Sequence, residues 1–363
     1  MTTTVLGSHI LFAIMLFAFS VVATFVVLKL KILDEPNQRS SHDRPTPSTG
    51  GIAIFATCAC GFTVVWFVGD EVRLSKQNLI GFAVAACVIS VIGLFDDLKK
   101  LKTFQIKLLG QIAAAMVLLA SGIVFSQVPL PFVGQIQLGW VGYPLTVIWL
   151  VAMTNIFNFM DGLNGLAGGV AVAVAAFLCA VTYLEGSFFV YILCYILVAS
   201  SAGFLVYNFP RPRLFMGDVG SQFLGFSFAA IAIIAAEIDT SRTSLLVVPL
   251  LFFNFIFDTV FTLCRRLFNG ENITQAHRVH LYQLLNQIGW SHVWVSILHF
   301  FMTISQGVGA LFLIRCEPQQ QVLVFLPFLI LQTVYNRPGY FFRMKIAQPI
   351  RLVFPHESSI INH

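Results

Sequence analysis

Four aspartates stand at the ends of long apolar segments in a chain that carries few charges: Asp96, Asp97, Asp161 and Asp218. A carboxylate beside hydrocarbon costs free energy, and it persists where it is paired, hydrated or bound to a cation. Carboxylate oxygens are also the ligands that hard divalent ions prefer. The four aspartates therefore predict a divalent-metal site at a membrane surface.

The first two aspartates, Asp96 and Asp97, are followed at once by Leu98-Lys99-Lys100, and Lys107 lies further along the chain. Two adjacent carboxylates repel each other, so a helix end tolerates them when a cation or a group of lysines offsets their charge. The pair is thus either part of a functional site or a solvated helix terminus.

A second group of polar residues combines amides with a carboxylate in Asn155-Ile156-Phe157-Asn158-Phe159-Met160-Asp161-Gly162. Their spacing of three places Asn155, Asn158 and Asp161 on one helix face. Gly162 permits a break in the helix and the close approach of a ligand. Polar groups on one stripe of an apolar helix are costly unless they bind something. The alternative is that they join neighbouring helices by hydrogen bonds.

A third group begins at Asn208 and continues through Phe215-Met216-Gly217-Asp218-Val219-Gly220-Ser221. A carboxylate between glycines just before a helix can reach a hard metal ion, and an aromatic ring beside it can stack on a base. The alternative for Asp218 or Ser221 is to cap the helix that follows.

Basic and imidazole side chains form two further motifs. The later one, His277-Arg278-Val279-His280, predicts phosphate contacts, and zinc is a weaker interpretation because no cysteine accompanies it. Asp258, upstream, is placed to orient this loop, to face the site or to pair structurally. The earlier one, Arg39 to Gly51, combines Arg and His with prolines and a glycine pair. It is either a shaped loop that contacts anions or a stiff basic loop at the interface.

Composition identifies the elements that must position these residues. The chain has 363 residues, of which 58% are hydrophobic and 10% charged, whereas soluble domains carry about 25% charged residues. It is therefore predicted to be an all-α integral membrane protein with one polytopic domain over residues 1–363. Apolar runs of membrane length predict eleven transmembrane helices, near 9–28, 50–68, 78–95, 105–125, 141–157, 163–183, 187–206, 222–236, 243–263, 292–314 and 321–336.

Basic residues in the connecting loops predict the orientation. Of the 21 Lys and Arg residues, seventeen fall in one alternate set of loops and the C-terminal tail. Because cytoplasmic loops are enriched in Lys and Arg, that set is predicted to be cytoplasmic, with a periplasmic N-terminus and a cytoplasmic C-terminus. All the polar motifs then lie on the cytoplasmic side, and no comparable motif is seen on the other. This asymmetry favours chemistry on a cytoplasmic substrate over transport.

Together the motifs resemble the polyprenyl-phosphate N-acetylhexosamine-1-phosphate transferase family. The resemblance spans residues 34–283 and depends on five motifs in a fixed order. It implies transfer of a sugar 1-phosphate from a UDP-N-acetylhexosamine to undecaprenyl phosphate, with release of UMP, on the cytoplasmic face of the bacterial inner membrane. The expected donor is UDP-GlcNAc or a UDP-linked 6-deoxy amino sugar. A transporter or flippase of lipid-linked sugars is the alternative function.

The same resemblance implies a role for each motif. Asp218 would hold Mg²⁺, for which Mn²⁺ could substitute, and Phe215 would stack on uracil. The expected catalytic residues are Asp96, Asp97 and His280, of which the aspartate pair would position or deprotonate the lipid phosphate. The expected substrate-binding residues are Asn155, Asn158, Asp161, Asn208, Phe215, Arg278 and Lys107. Further expected partners are membrane lipid and a second copy of the chain, but no nucleic acid.

Two departures from the usual family pattern bear on the sugar. Asn164 stands where many members have a second aspartate, so a uracil contact is expected to differ. The segment His277-Arg278-Val279-His280-Leu281-Tyr282-Gln283 replaces a motif richer in histidine. This variant resembles the lipopolysaccharide O-antigen branch of the family more than the peptidoglycan enzyme.

Overall fold

Helices make up most of the computed structural model, which describes residues 3–30, 32–34, 46–68, 75–101, 103–130, 132–187, 189–272, 275 and 277–335. They are α1 (Thr3–Lys29), α2 (Gly50–Val68), α3 (Lys76–Asp97), α4 (Phe104–Ala120), α5 (Gly142–Met160), α6 (Leu166–Leu184), α7 (Phe189–Asn208), α8 (Gly217–Ile233), α9 (Val247–Leu251), α10 (Phe253–Phe268), α11 (Leu281–Gln287), α12 (His292–Leu313) and α13 (Gln321–Tyr335). The predicted all-α polytopic architecture is confirmed.

Eight helices in the described part of the chain are long and apolar enough to cross a bilayer: α1, α2, α3, α5, α6, α7, α8 and α12. The other three predicted spans coincide with shorter helices. These are α4, α13 and the α9–α10 pair, which is interrupted between Leu251 and Phe253. The count of eleven and the orientation of the two termini therefore stay predictions.

The most deeply buried of the eight is α8. In the most apolar 18 residues of its membrane-length segment, Gly217–Ile238, 94% of the residues are buried, whereas the share in Leu6–Lys29 of α1 is 22%. The same segment has a mean hydropathy of 1.8 against 2.8 for α1. The central helix can carry more polar residues because protein, and not lipid, surrounds them. Asp218 thus stands at the start of a helix that α2, α3 and α5 enclose.

Glycines allow the backbones of neighbouring helices to touch α8 near Asp218. A Cβ atom on Gly51 of α2 would collide with the backbone of Gly220, and one on Gly93 of α3 would lie 2.6 Å from the Asp218 carbonyl oxygen. Small residues permit such close crossings between membrane helices. They bring the C-terminal end of α3, with its two aspartates, against the start of α8.

Two short antiparallel strand pairs accompany the described helices: β1 (Leu33–Asp34) with β2 (Thr46–Pro47), and β3 (Gln127–Leu130) with β4 (Gly134–Gln137). The Phe215 N–H donates to the Pro47 carbonyl at 2.7 Å, so β2 is tied to the segment before α8. The basic part of the Arg39 to Gly51 motif, residues 39–45, lies outside the described residues, and its predicted anion contacts stay a prediction.

Candidate active site

Asp218 occupies the first turn of α8. The preceding residue, Gly217, has a φ of +74°, and a Cβ atom there would collide with the Ser48 carbonyl oxygen. Glycine adopts this left-handed conformation without steric cost, and it alone leaves room for the neighbouring backbone. Gly217 therefore sets the point at which α8 begins against the segment that links β2 to α2.

Asp97 closes the N-terminus of α8 from the end of α3. Its Oδ1 accepts the Asp218 N–H at 2.7 Å, and its Oδ2 accepts the Val219 N–H at 3.1 Å. The first N–H groups of a helix have no partner within the helix and carry partial positive charge, which a carboxylate stabilises. The structure thus gives the capping of α8 to Asp97, whereas the sequence had offered Asp218 or Ser221 as the alternative cap of this helix.

Asp96 contacts a lysine instead. The Lys107 Nζ lies 2.9 Å from Asp96 Oδ2 and also donates to Asp218 Oδ2. The Lys107 side chain is only 12% exposed, so its ammonium attracts both carboxylates more strongly than it would in water. One ammonium between two carboxylates leaves net negative charge, and this suits the binding of a further cation.

Asn158 joins this group from α5. Its Nδ2 donates to Asp218 Oδ1 and to Ser221 Oγ, both at 2.8 Å, and its Oδ1 accepts from the Lys107 Nζ at 3.4 Å. We call Asp96, Lys107, Asn158 and Asp218 the charged layer. Four helices, α3, α4, α5 and α8, contribute one residue each to it.

Three amides, Gln111, Asn155 and Gln222, lie one helical turn away from the charged layer, and we call them the amide layer. Asn155 Nδ2 donates to Gln111 Oε1 at 2.7 Å, and Gln111 Nε2 donates to Gln222 Oε1 at 3.1 Å. Sequence reasoning assigned no role to Gln111 and missed Gln222. The available signal was a glutamine four residues after Asp218, on the same face of an apolar helix.

Asp161 ends α5 close to the charged layer, and it is half-buried. Burial raises the pKa of its carboxyl to about 7, and the negative charge of Asp218 contributes to the shift. A Cβ atom on the next residue, Gly162, would collide with the Tyr282 hydroxyl. Only glycine at position 162 therefore leaves room for the Tyr282 hydroxyl. The raised pKa means that Asp161 changes its charge near neutral pH.

A second polar group surrounds Asp258, which is fully buried on α10. His280 Nδ1 lies 3.0 Å from Asp258 Oδ1, which also accepts the Leu281 N–H at 2.9 Å. Asp258 Oδ2 accepts the Tyr282 N–H at 3.1 Å. Asp258 therefore orients the loop and accepts the first N–H groups of α11. Orienting this loop was one of the three roles that the sequence allowed for it.

Tyr282 connects this second group to α5. Its hydroxyl donates to the Phe159 carbonyl at 2.9 Å, two residues before Asp161. The rings of Phe159 and His280 also approach, with 6.0 Å between their centroids. His280 therefore lies beside the end of α5. The other two expected catalytic residues lie elsewhere, since Asp96 belongs to the charged layer and Asp97 caps α8.

The two residues before Val279 present polar atoms without partners. Among the described residues, Arg278 Nε and His277 Nδ1 are buried and have no hydrogen-bond partner. Burial lowers the pKa of His277 to about 4, so its ring is neutral at neutral pH. Arg266, by contrast, pairs with Glu271 at 3.0 Å and helps to hold the loop. The predicted contact of Arg278 with a phosphate or sugar stays a prediction.

Asn208 and Phe215 lie on either side of the segment that precedes α8. Asn208 is buried, its Oδ1 accepts the Gly165 N–H at 2.7 Å, and its Nδ2 donates to the Leu214 carbonyl at 2.8 Å. It thus ties the start of α6 to the segment before α8. Phe215 is half-buried. Nucleotide contacts of both residues stay predictions.

Comparison with known proteins gives consistent results. A family model described as glycosyl transferase family 4 matches residues 79–236. A Bacillus subtilis protein described as a probable undecaprenyl-phosphate N-acetylglucosaminyl 1-phosphate transferase is 31% identical over 308 residues, which cover 84% of this chain and 82% of the relative. The decaprenyl-phosphate N-acetylglucosaminephosphotransferase of Mycobacterium leprae is 30% identical over 331 residues, with the same two coverages. The chain belongs to the polyprenyl-phosphate N-acetylhexosamine-1-phosphate transferase family.

Membership confirms the resemblance that the motifs indicated. A more distant relative, the phospho-N-acetylmuramoyl-pentapeptide-transferase of Listeria welshimeri, is 27% identical over 302 residues, which cover 78% of this chain and 88% of the relative. The segment that the family model matches contains all four residues of the charged layer and ends before Asp258. The chain is a multi-pass membrane protein of a phosphotransferase family.

The charged layer fits Mg²⁺ bound together with a substrate. Within the described ranges, no three His, Cys, Asp or Glu side chains form a cluster that could hold a metal ion by themselves. Mg²⁺ commonly takes only one or two protein carboxylates and completes its shell with water and substrate phosphates. Asp96 and Asp218, which share Lys107, match that pattern and carry the excess negative charge that it requires.

Proposed function

We propose that the protein transfers an N-acetylhexosamine 1-phosphate from its UDP derivative to undecaprenyl phosphate and releases UMP. The observation that carries this proposal is the charged layer at the start of the central helix in a member of this family. Relatives named for N-acetylglucosamine transfer support UDP-GlcNAc as the first donor to test, with a 6-deoxy amino sugar as the alternative. Their names also support a polyprenyl phosphate acceptor.

In this reaction, a phosphate oxygen of the acceptor lipid attacks the phosphorus that bears the sugar. A new phosphorus–oxygen bond forms, and the bond from that phosphorus to the oxygen that bridges to the uridylyl phosphate breaks. The bridging oxygen leaves with the electron pair as part of UMP. Both reactants are anions, so positive charge must offset theirs as they meet.

The chain supplies positive charge from two sides. Lys107 provides an ammonium within the charged layer, and Arg278 provides a guanidinium whose Nε has no partner among the described residues. Mg²⁺, or Mn²⁺ in its place, held by Asp218 and Asp96, would neutralise phosphate charge and polarise the phosphorus–oxygen bond. Arg278 and His280, which Asp258 orients, would hold the diphosphate or the sugar.

The structure supports different tasks for the two adjacent aspartates. Asp97 uses both carboxylate oxygens to cap α8, so it would hold Asp218 in place. Asp96 contacts Lys107, and it is the better placed of the two to position or deprotonate the lipid phosphate. The nucleotide pocket would be formed by Asn158, Asp161, Asn208 and Phe215, with Phe215 stacked on uracil. Asn155, which was also expected there, uses its amide to bond Gln111 and the Val151 carbonyl.

We place the reaction on the cytoplasmic face of the bacterial inner membrane. The excess of basic residues in the loops that carry the motifs supports this orientation. The product, a sugar diphospholipid, would begin the assembly of O-antigen or another cell-envelope polysaccharide. The enzymes that consume it must therefore extend a lipid-linked sugar.

The test uses purified protein with radiolabelled undecaprenyl phosphate and a panel of UDP-sugars. We expect UMP release and a lipid product whose mass identifies the transferred sugar. EDTA should stop turnover, and added Mg²⁺ should restore it. Turnover that persists in EDTA would overturn the metal role. Movement of lipid-linked sugar across the vesicle membrane without UMP release would overturn the proposed transferase activity and support a flippase.

A further inference from the structure

The amide layer is enclosed in the bundle next to the charged layer. Gln111 and Gln222 are fully buried, and Asn155 is half-buried. Amides inside an apolar bundle lose their hydrogen bonds to water, so they persist when they bond one another. Here Gln111 is the central member, since it bonds both Asn155 and Gln222.

Each amide shares a helix face with one member of the charged layer. Residues that are three or four positions apart lie one turn from each other on the same side of a helix. A rotation or slide of one helix therefore displaces its residues in both layers together. The three pairs are Lys107 with Gln111 on α4, Asn158 with Asn155 on α5, and Asp218 with Gln222 on α8.

The polar atoms of Asn155 are occupied within the amide layer. Its Nδ2 donates to Gln111 Oε1 and to the Val151 carbonyl, at 2.7 and 2.8 Å, and its Oδ1 accepts from Gln111 Nε2 at 3.3 Å. The two bonds with Gln111 link α4 to α5 and restrict the distance between them. The bond from Gln111 to Gln222 restricts the distance from α4 to α8 in the same way.

The amide layer is not the arrangement that stability alone favours. Gln222 Nε2 is buried and has no hydrogen-bond partner among the described residues. A buried donor that stays unpaired destabilises the folded state, whereas an apolar side chain of the same length would carry no such cost. Gln222 therefore helps to set the position of α8, while its unpaired donor lowers the stability of the folded state.

We propose that Gln111 and Gln222 are positioning residues for the transfer reaction. Their direct bond holds α4 and α8 in the register that keeps Lys107 and Asp218 in contact, and the bonds of Gln111 with Asn155 add α5. The inference rests on the proposed function, because the reaction that it serves is the proposed transfer. It assigns no contact with substrate to either glutamine.

The test compares two substitutions on α8, each of which removes one buried polar atom that has no partner among the described residues, Gln222 Nε2 or Ser227 Oγ. Only the substitution at Gln222 also removes an atom, Oε1, that accepts from Gln111. Gln222→Met removes the amide from the layer at nearly constant length. Ser227→Ala is the matched control, since Ser227 is also buried with an unpartnered hydroxyl and lies farther from Asp218 along α8. Neither variant should lower the Tm. Gln222→Met should lower kcat about tenfold with less than a twofold change in the KM for the UDP-sugar, and Ser227→Ala should leave both within twofold.

A second measurement does not depend on turnover. Hydrogen exchange of the Asp218 and Val219 amides reports the first turn of α8, which Asp97 caps. Gln222→Met should accelerate that exchange about tenfold, and Gln111→Met should act in the same direction. Ser227→Ala should not change it.

The outcomes separate this inference from the proposed function. Wild-type protein that releases no UMP with any donor would overturn the proposed function, while the exchange rates would still test the register of α8. Unchanged exchange in Gln222→Met, or an equal loss of kcat in Gln222→Met and Ser227→Ala, would overturn the positioning role alone.

Discussion

The two ends of the central α8 segment both carry carboxylates, but they use them differently. At the start, Asp218 shares Lys107 with a second carboxylate. At the far end, Glu237 accepts the backbone N–H groups of Ser126 and Gln127 at 2.9 and 3.2 Å. The first arrangement concentrates negative charge around one cation, and the second uses a carboxylate to hold the start of a hairpin. The number of carboxylates therefore does not distinguish a reaction site, whereas their partners do.

The far end also contains a polar cavity of about 380 Å³. Residues from the β3–β4 hairpin and from three other connections line it, and they include Glu185, Arg242 and Gln321. The sequence showed no motif there, because the lining residues come from several separate loops. The spacing of residues in motifs therefore identifies a site whose residues cluster in a few short segments of the chain. It does not identify a cavity whose lining residues come together only when the chain folds.

The largest effect is expected at the reaction end. Asp218→Asn removes one of the two negative charges beside Lys107 at nearly constant shape. We expect kcat to fall by about 10³-fold or more, since loss of a single electrostatic group in an active site costs about 10²–10³-fold and this one would also hold the metal. UMP release by folded, monodisperse protein measures it. Retention of a tenth of the wild-type rate would refute the assignment.

Lys107→Met is expected to have the next largest effect. It leaves Asp96 and Asp218 without their shared cation and removes positive charge from the proposed phosphate site. We expect kcat to fall about 10²-fold. Lys107→Arg should recover part of the rate because it keeps the charge but not the ammonium geometry. Equal activity of the Met and Arg variants would show that the charge of Lys107 is not used.

A smaller effect is expected in the pH dependence of kcat/KM, which should report the ionisation of Asp161. Its raised pKa, about 7, means that the carboxyl is neutral below that pH and negative above it. If the nucleotide pocket uses the negative form, kcat/KM rises with pH around 7 and falls about tenfold per unit below it. Asp161→Asn should remove this step. A step that survives in the variant belongs to another group.

The smallest effect on catalysis is expected at the far end. Glu237→Gln weakens the hydrogen bonds that hold the start of the hairpin, which are worth about 1.5–3 kcal/mol each when one partner is charged. The Tm should fall by a few degrees, while kcat stays within about twofold. Thermal unfolding and UMP release measure the two quantities. A tenfold loss of kcat would show that the two ends are coupled, and the contrast between them would fail.

Several features of the fold could be predicted because they are local properties of the chain. Hydropathy identified the membrane helices, but it joined α9 and α10 into one span, since the break at Phe252 lies between apolar residues and leaves the hydropathy unchanged. The motifs predicted that Asp218 and Asn158 would belong to one site, and the structure brings them within 2.8 Å. Gln222 was missed because one glutamine in an apolar helix has no meaning until its neighbours are known.

The sequence by itself determined the membrane class, the family and the residues from which the charged layer is built. It did so because composition, apolar run length and motif spacing do not depend on how helices pack. Only the tertiary structure decided that Asp97 caps α8 while Asp96 contacts Lys107. Successive residues on a helix point about 100° apart, so two adjacent aspartates reach different neighbours. Which neighbour each one reaches depends on where α4 and α8 lie, and long-range packing alone sets that.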